Sequence, residues 1–584
     1  MSGSVRVERS VFYPLWSDRL ARCEAAATGI AIAVLLLLFQ VYLQNVHIAT
    51  TNGLWKSIVV RRWIAHSSWQ LLDDANVLYF PIQMLSCELL ERLGIFPGQI
   101  WRQLAVLNGI AGGAGATAVY LFTLRWLQSR PAALLATVLY AGSGFYLLLS
   151  VIDEDIMPGA VLVLIATLLA CAWFAQPNPR RIFIVALVFT LGWLWEWRLI
   201  FPTLPAMLLA LFIARGRLGQ RFSRPAWFIA AMFPTPLLIA ALFRLERAGG
   251  DHATLGLIYR MFWAGKAVGT GWGGFTWRKV MFAWVGMTES ILGARNVSDW
   301  DVWLSPPIHT ESLVASAILV ALAVILCIYA WRRRTDPIVV NAAAILGGTL
   351  LAGTVFNLYS QPQDPQMVIN VMIWTVPAWG LIACGIVGTR PASHVWRRSL
   401  TMTRPLLILA ALAPTAYNVS ALAAQRGLDP IWEGLARSLE QCFAPSRTVY
   451  LYQGFEGIIT WQSVLEQREY AGTDSLHAPA PANQHFKWID ATTPTIMHPA
   501  WSAEQVAMVI KRSIDAALDL DYQVVAGPAY LAPEQAWAGS FATVARPDVP
   551  QAIYAMIATN YVLKPAFTDP HGGTYAILTR RAAQ

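Results

Sequence analysis

Three adjacent carboxylates are the residues in this sequence whose types and spacing most directly suggest chemistry. Asp153, Glu154 and Asp155, here called the acidic turn, lie in the short stretch VIDEDIMP between two long apolar runs. Neighbouring carboxylates repel one another, so either the pKa of one of them rises or a cation joins them. A solvated turn is the ordinary explanation for a single acidic residue in a loop. Three in a loop without a basic residue favour a functional site.

A second acidic pair, Asp73 and Asp74, lies in the segment WQLLDDANVLYFP. An Asp at the start of a helix accepts a hydrogen bond from a free backbone N–H and interacts favourably with the helix dipole. The pair is therefore either the N-cap of a helix over DDANVLYFPIQML or a second part of the same site. Both interpretations stay open at this point.

Two charged residues interrupt an apolar stretch further along the chain. Glu196 and Arg198 occur in LGWLWEWRLIFPTLPAMLLA, where the chain turns between two predicted spans. A charged side chain at this depth in a membrane is costly, so it indicates a functional role by default. The alternative is a local Glu–Arg turn that Trp193, Trp195 and Trp197 anchor at the membrane surface.

The segment YRMFWAGKAVGTGWGGFTWRKVMF combines cations with aromatic residues and glycines. Its cations are Arg260, Lys266, Arg278 and Lys279, and they include two of the six lysines in the chain. Flexible cations bind phosphate groups, and aromatic rings offer faces for sugars or prenyl chains. An amphipathic helix at the membrane surface, with a glycine turn, is the structural alternative.

The composition places these residues in a membrane protein. Of the 584 residues, 56% are hydrophobic and 13% are charged, and the mean hydropathy is +0.48. A chain this apolar and this long predicts many transmembrane helices. The net charge of +9 comes from arginines in the loops of one side, which the positive-inside rule explains without nucleic acid. The six cysteines include no CxxC pair and no spacing suited to a metal.

Hydropathy predicts eleven transmembrane spans. They lie near 25–46, 102–123, 131–150, 157–175, 181–195, 199–214, 226–244, 312–331, 338–358, 367–388 and 404–424. The loops predicted to face the cytoplasm carry the arginines, whereas those at 151–158 and 359–366 have neither Lys nor Arg. This asymmetry predicts a cytoplasmic N-terminus, and the odd number of spans places the C-terminal segment outside.

Three outer segments are too long to be simple connections. The first, 47–101, contains amphipathic stretches that predict helices along the membrane surface, and the second is 245–311. The third, 425–584, alternates strand-like runs such as RTVYLYQ, YQVVAG and TYAILTRR with a predicted helix at SAEQVAMVIKRSIDAALDL. We therefore expect a polytopic α-helical transmembrane domain over 1–424 and a small extracytoplasmic α/β domain over 425–584.

These residues, in this order, resemble the GT-C superfamily of membrane glycosyltransferases, which includes protein mannosyltransferases, aminoarabinose transferases and bacterial relatives. Its members have a first outer loop with surface helices and a catalytic Asp, a short acidic loop after the third span and a long fourth outer loop. Many also have an outer C-terminal domain. The likeness covers the layout of residues 25–390. It implies a GT-C-like transmembrane core in a bacterial inner membrane, with the C-terminal domain in the periplasm.

The resemblance implies roles for individual residues. Asp73 or Asp74 would be the catalytic base, and Glu154 or Asp155 the second acid of the site. Arg198 takes the place where many members have a Lys in a TKGP-like turn that contacts the lipid phosphate. Where many members have a basic or aromatic motif before the tenth span, this chain has YSQPQDPQM.

The chemistry agrees with this layout. Nucleotide sugars are absent outside the cell, so a transferase there uses a sugar on a polyprenyl phosphate, and the leaving group is an anion at the membrane surface. Arg198 and Lys266 would stabilise the departing phosphate, and an Asp would take the proton from an acceptor hydroxyl. Arg260 and Lys279 are predicted as further donor-binding cations. The acidic turn would either hold a divalent metal ion or position the acceptor.

Two other functions fit a polytopic membrane protein with an outer domain. A lipid or sugar transporter would show paired halves with broken spans, and the sequence contains no internal repeat. A non-enzymatic protein of envelope assembly would use its outer domain for interactions. The partners expected for a glycosyltransferase are a polyprenyl-phosphate sugar donor, an extracytoplasmic acceptor (glycan, lipid or protein) and the lipid bilayer.

The arginine asymmetry predicts the side of the membrane on which residue 584 lies. A reporter that is active only outside the cytoplasm, fused after Gln584, should be active because residues 425–584 are expected on the outer face. The same reporter inserted after Arg217, in a predicted cytoplasmic loop, is the control and should be inactive. A Gln584 fusion that works only with a cytoplasmic reporter would contradict the predicted topology.

Overall fold

A computed structural model describes most of the chain. It covers residues 19–44, 60, 78–97, 99–238, 275, 277–293, 310–359, 364–387, 394–444, 447–452, 486–490, 501–531, 548–569 and 573–582. Four of the predicted site residues, Asp73, Asp74, Arg260 and Lys266, lie outside these ranges.

The chain before the C-terminal domain is helical. Its helices are α1 (Arg19–Leu43), α2 (Tyr79–Arg92), α3 (Ile100–Leu127), α4 (Arg130–Ala141), α5 (Gly144–Val151), α6 (Met157–Trp173), α7 (Pro179–Trp195), α8 (Ile200–Ile213), α9 (Leu218–Met232), α10 (Trp277–Glu289), α11 (Thr310–Arg332), α12 (Pro337–Tyr359), α13 (Pro365–Val368), α14 (Thr375–Val387) and α15 (His394–Ala423). Two 3-10 turns, Trp197–Leu199 and Val371–Trp374, lead into α8 and α14. Every predicted span overlaps at least one of these helices.

Within the described residues, five helices are long and apolar enough to cross a membrane. They are α1, α3, α11, α12 and the part of α15 over Arg404–Ala423. The pair α4 and α5 makes a sixth if it is one span, bent by 69° at its break. Shorter apolar helices are α6, α8 and the segment Val371–Val387. The chain is a multi-pass membrane protein, and the count of eleven spans stays a prediction.

Small residues bring α1 and α3 into close contact. A Cβ atom on Gly113 of α3 would lie only 2.6 Å from the carbonyl oxygen of Gly29 in α1. Between helices in lipid, close backbone approach of this kind supplies the van der Waals contact that holds the pair together. Gln40 of α1 also donates to the carbonyls of Ala105 (2.6 Å) and Ser150 (3.1 Å). The first helix therefore fixes α3 against α5, at whose end the acidic turn lies.

The C-terminal segment folds as the predicted α/β domain. Its strands are β1 (Thr448–Tyr452), β2 (Phe486–Asp490), β3 (Gln523–Ala526), β4 (Tyr561–Thr568) and β5 (Thr574–Arg580), and its helices are α16 (Leu428–Cys442), α17 (Ala503–Asp519) and α18 (Asp548–Asn560). The sheet order is β2-β1-β3-β5-β4, parallel among the first three strands and antiparallel at β5 and β4. Because strand side chains alternate between faces, α17 and α18 pack on one face and α16 on the other.

The sequence predictions for this domain are confirmed for β1, β3, β5 and α17. Strands β2 and β4 were not predicted from the sequence. β4 contains Pro565, a residue that argues against a central strand, but β4 lies at the edge of the sheet, where a missing N–H costs least.

The C-terminal domain packs on the end of the helical bundle that is predicted to lie outside. Trp101, in the first turn of α3, contacts the apolar cluster between α16 and the sheet. The N–H of Gly427 donates to the carbonyl of Leu43 at the end of α1 (2.8 Å). The Arg426 guanidinium lies 4.4 Å from the centroid of the Tyr42 ring. The ends of α1 and α15 and the start of α3 thus share one side of the molecule with this domain.

Candidate active site

The acidic turn is buried, and its backbone is held from two sides. Its three carboxylates are at most 1% exposed. Asn108, in α3, donates from Nδ2 to the carbonyls of Ile152 (2.7 Å) and Glu154 (2.5 Å). The indole N–H of Trp195, at the end of α7, donates to the carbonyl of Asp155 (2.6 Å). The alternative of a solvated acidic turn is therefore wrong.

The side chain of Glu154 meets a second turn. Gln366 donates from Nε2 to Oε1 of Glu154, although 212 residues separate them in the chain. Gln366 lies in the one-turn helix α13, which Asp364 caps by accepting a hydrogen bond from the backbone N–H of Gln366 (2.8 Å). The predicted outer loop at 359–366 thus ends against the acidic turn.

A third turn contributes an ion pair. Oε1 of Glu196 accepts a hydrogen bond from Nε of Arg198 at 2.6 Å, where the 3-10 turn joins α7 to α8. The Glu196 side chain is 1% exposed and that of Arg198 is 17% exposed. Among the described residues, the guanidinium donates through Nε alone, and its Nη groups have no hydrogen-bond partner there. The local ion pair considered from the sequence exists.

These three turns form one charged cluster. Burial alone would lower the pKa of Arg198, but the carboxylates of Glu196, Asp364 and Glu154 raise it above its ordinary value. Burial raises the pKa of Asp364 to about 6, Arg198 opposes this effect, and Glu154 and Glu196 add to it. Charges influence one another this strongly only at short separation or in a poorly solvated site. One guanidinium is therefore in contact with Glu196 and under the electrostatic influence of Asp364 and Glu154.

The surface helix α2 brings Tyr79 to the acidic turn. The Tyr79 ring packs edge-on against Trp195, with the centroids 5.7 Å apart. Burial, followed by the nearby Asp153, Cys87 and Glu154, raises the pKa of the Tyr79 hydroxyl well above its ordinary value. The prediction of a helix in this outer segment is confirmed over Tyr79–Arg92, and this helix borders the site.

The acidic pair Asp73 and Asp74 lies outside the described residues. Helix α2 begins at Tyr79, with Leu78 at the N-cap position, so neither Asp caps this helix. The N–H of Leu78 donates to the carbonyl of Leu194 near the end of α7 (3.0 Å). The chain that follows the pair is thus attached beside the site.

Lys279 is the one predicted donor-binding cation of the long outer loop that the structure describes, because Arg260 and Lys266 lie outside the described ranges. Lys279 is 3% exposed, and burial lowers its pKa to about 8. Its helix, α10, contacts α11, α12 and α13, the last of which holds Gln366. Trp277, on the same helix, is 81% exposed, as expected for an amphipathic helix at the membrane surface.

The acidic turn does not form a metal site by itself. Across the ranges that the structure covers, no three His, Cys, Asp or Glu side chains are arranged to hold a metal ion. Consecutive residues of a turn project in different directions, and the carboxylate of Glu154 is already bound by Gln366. The arrangement therefore favours positioning over metal binding for Asp153, Glu154 and Asp155.

Sequence analysis did not single out Asn108, and it quoted Gln366 only as a departure from a family motif. Asn108 carried a usable signal, because it is a polar residue inside an apolar span, LAVLNGIAGG. The sequence gives no signal for the role of Gln366, because its partner Glu154 is 212 residues away.

Comparison with solved structures identifies the fold. ArnT from Cupriavidus metallidurans bound to undecaprenyl phosphate matches with a TM-score of 0.52 at 13% sequence identity, over 94% of this chain and 97% of that chain. The apo state of the same protein matches with a TM-score of 0.49 at 14% identity, over the same shares of the two chains. The chain has an ArnT-like fold. The fold expected from the sequence, a helical transmembrane core with a small C-terminal α/β domain, is thereby confirmed.

The ArnT-like fold carries no residue roles by itself, because one fold hosts many functions. No protein-family model matches the sequence. A search of curated proteins likewise found no match. The chemistry of this site must therefore be argued from its own side chains.

Asp364→Asn tests the charge balance of this buried site. The folded pKa of Asp364, about 6, exceeds its ordinary value of 3.8. Ionised Asp364 therefore destabilises the folded state, and this penalty grows as the pH rises from about 4 to about 6. The Asn variant keeps the N-cap acceptor but cannot ionise. Its Tm relative to wild type should rise across that window, by the equivalent of about 2–3 kcal/mol.

Thermal unfolding in detergent between pH 4 and pH 8 measures this difference. Asp336→Asn is the control for the loss of a carboxylate as such. Asp336 accepts a hydrogen bond from the N–H of Ile338 (2.9 Å) at the start of α12, whereas Asp364 follows the end of that helix. A Tm difference for Asp364→Asn that stays constant over the window would show that the buried cluster does not hold this carboxyl as described.

Proposed function

We propose that this chain is a glycosyltransferase that moves a sugar from a polyprenyl-phosphate-linked donor to an acceptor hydroxyl at the outer face of a bacterial inner membrane. The proposal rests on the geometry of Arg198. Glu196 anchors its Nε, while its Nη donors have no hydrogen-bond partner among the described residues. The choice of donor is supported by the ArnT-like fold, since the ArnT structure holds undecaprenyl phosphate.

Arg198 would stabilise the leaving group. An anchored guanidinium presents its two Nη groups in a fixed orientation that suits two oxygens of one phosphate. When the bond between the sugar and the phosphate oxygen breaks, negative charge develops on that oxygen. A cation that is already oriented in a poorly solvated site stabilises this charge without reorganising. The hydrogen bond from Nε of Arg198 to Oε1 of Glu196, 2.6 Å long, orients the guanidinium.

The general base is assigned to Asp73 or Asp74. Leu78 is attached to the end of α7, and Tyr79 lies beside the acidic turn. Four residues span at most about 14 Å, and a chain of this length is sufficient for Asp74 to reach the acidic turn. A carboxylate there would take the proton from the acceptor hydroxyl as that oxygen attacks the sugar.

Glu154 or Asp155 would be the second acid. Asn108 and Trp195 hold the backbone of both residues, and Gln366 binds the Glu154 carboxylate. A carboxylate fixed in this way can orient an acceptor hydroxyl without losing side-chain entropy when the acceptor binds. We therefore favour acceptor positioning over metal binding for the acidic turn.

Lys279 is assigned as a second cation for the donor phosphate, together with Lys266 and Arg260. Its helix contacts α13, the helix that holds Gln366. With a pKa of about 8, Lys279 keeps its charge at neutral pH. A second cation would be needed because the negative charges of Glu196, Asp364 and Glu154 already act on Arg198.

The domains would divide the work. Residues 1–424 would form the catalytic transmembrane domain with its outer loops, and residues 425–584 a periplasmic domain. The packing of Trp101 against the C-terminal domain keeps that domain beside the site. The N-terminus would be cytoplasmic, in line with the arginine distribution.

Arg198→Ala tests the donor site. It should weaken binding of undecaprenyl phosphate about 10- to 100-fold, because hydrogen bonds to charged groups contribute about 1.5–3 kcal/mol. Arg198→Lys keeps the charge but loses the paired donors, so its loss should be smaller. The Kd is measured on protein in lipid nanodiscs. Arg102→Ala is the control, because Arg102 is near the start of α3 and packs on the Phe96 ring, 5.7 Å from its centroid. A folded Arg198→Ala protein with the wild-type Kd would refute this donor site.

Substitution of the carboxylates tests the reaction. Asp73→Asn, Asp74→Asn, Glu154→Gln and Asp155→Asn are assayed for transfer of label from polyprenyl-phosphate sugars to an envelope fraction. Loss of the base should reduce turnover by about 10²–10⁴, whereas Asp336→Asn, away from the site, should not. Full activity in both Asp73→Asn and Asp74→Asn would refute this mechanism. Movement of labelled lipid across the membrane without any product would favour the transporter instead.

A further inference from the structure

Asn418 is a polar residue inside the last predicted span, toward its C-terminal end. Among the side chains of α15 that the structure describes, only those of Asn418 and Leu422 are buried. A polar group in a transmembrane helix is costly unless other groups satisfy it, and such residues tend to serve function. The partners of Asn418 therefore indicate what this span does.

The Asn418 amide makes three hydrogen bonds to three backbone groups. Its Nδ2 donates to the carbonyls of Gly142 (2.9 Å) and Ile291 (2.8 Å). Its Oδ1 accepts from the N–H of Gly293 (3.1 Å). Both N–H donors and the carbonyl oxygen of the side chain are thus used, which fixes the orientation of the amide. None of the three partners lies in the same element as Asn418.

The first partner lies at the break in the span that leads to the acidic turn. Gly142 separates α4 from α5, where the chain bends by 69°, and α5 ends directly before the turn. A break of this kind frees backbone carbonyls, which must be satisfied in lipid. Helix α15 approaches so closely here that a Cβ atom on Gly142 would lie 2.3 Å from the side chain of Thr415.

The other two partners lie at the end of the helix that carries Lys279. Ile291 and Gly293 belong to the turn that follows α10. The acidic turn and Lys279 come from segments more than 100 residues apart in the sequence. The Asn418 side chain joins the break before the acidic turn to the turn after the helix of Lys279; these two segments are here called the supports. In the described part of the chain, no other hydrogen bond joins the break at Gly142 to the turn that follows α10.

We propose that Asn418 is a positioning residue for the site at the predicted outer face. It holds the bend before the acidic turn and the end of α10 at a fixed separation, so that Lys279 and the acidic turn keep their places around the donor phosphate. This inference rests on the proposed function. Replacement of the amide leaves the cations and carboxylates intact but lets their two supports move apart.

Binding of undecaprenyl phosphate to the full chain in nanodiscs tests the inference. Asn418→Leu should weaken the Kd about 3- to 30-fold, the usual range for residues that act on a site through other residues. Asn341→Leu is the matched control, because Asn341 is another buried Asn in a span and donates to the carbonyl of Phe174 (2.8 Å). Leu422→Ala controls for weaker packing of α15. Both controls should keep the wild-type Kd.

A double-mutant cycle separates positioning from general loosening. If Asn418 acts by positioning Lys279, the combined loss in Asn418→Leu with Lys279→Ala should be smaller than the product of the two single losses. Losses that multiply would overturn the inference, as would a wild-type Kd in folded Asn418→Leu.

Folding is checked for each variant by its thermal unfolding. Asn418→Ala, which removes the same amide without adding a branched side chain, replaces Asn418→Leu if the latter does not fold. Failure of both variants to fold would assign Asn418 to the folding of the span and overturn the inference. A wild-type chain that does not bind undecaprenyl phosphate would instead refute the proposed function, which is a separate outcome.

Discussion

The burial of charge at one end of the helical bundle is the constraint on which the rest of this structure depends. Glu154, Glu196 and Arg198 leave water almost completely, and the desolvation of each ion costs several kcal/mol unless partners compensate it. The compensation comes from directed contacts: Glu196 pairs with Arg198, and Gln366 binds Glu154. The backbone around these groups is therefore fixed wherever the chain turns.

Those contacts determine which helices must be neighbours. Asn108 can hold the acidic turn because Gly29 and Gly113 allow close packing of α1 on α3, which places α3 beside the end of α5. Trp195 can hold it only because α7 ends at the same level. The sharp break at Gly142 redirects α5 toward this point, and Asn418 of the last span satisfies the carbonyl that the break exposes. The packing of the helices and the geometry of the site thus depend on each other.

The same constraint bears on how an anionic ligand could enter. Three carboxylates act electrostatically on one guanidinium, so a phosphate that approached Arg198 would meet their negative charge. Under the proposed function, two features would reduce this repulsion. Lys279 lies on α10, which contacts α13, and burial raises the pKa of Asp364 to about 6, so a proton can neutralise this carboxyl near that pH. Both features belong to segments that are remote in sequence from Arg198.

The sequence by itself determined the membrane class, the positions of the helices, the α/β nature of the C-terminal domain and the choice of the acidic turn and Arg198 as candidates. These follow from composition and from periodicity over short windows, because hydropathy and strand alternation are local properties. Only the tertiary structure decided that the acidic turn is buried, that Gln366 and Asn108 hold it, and that Asn418 links two supports. These contacts join residues 44 to 276 positions apart, and no local pattern encodes which distant polar group will satisfy a buried one.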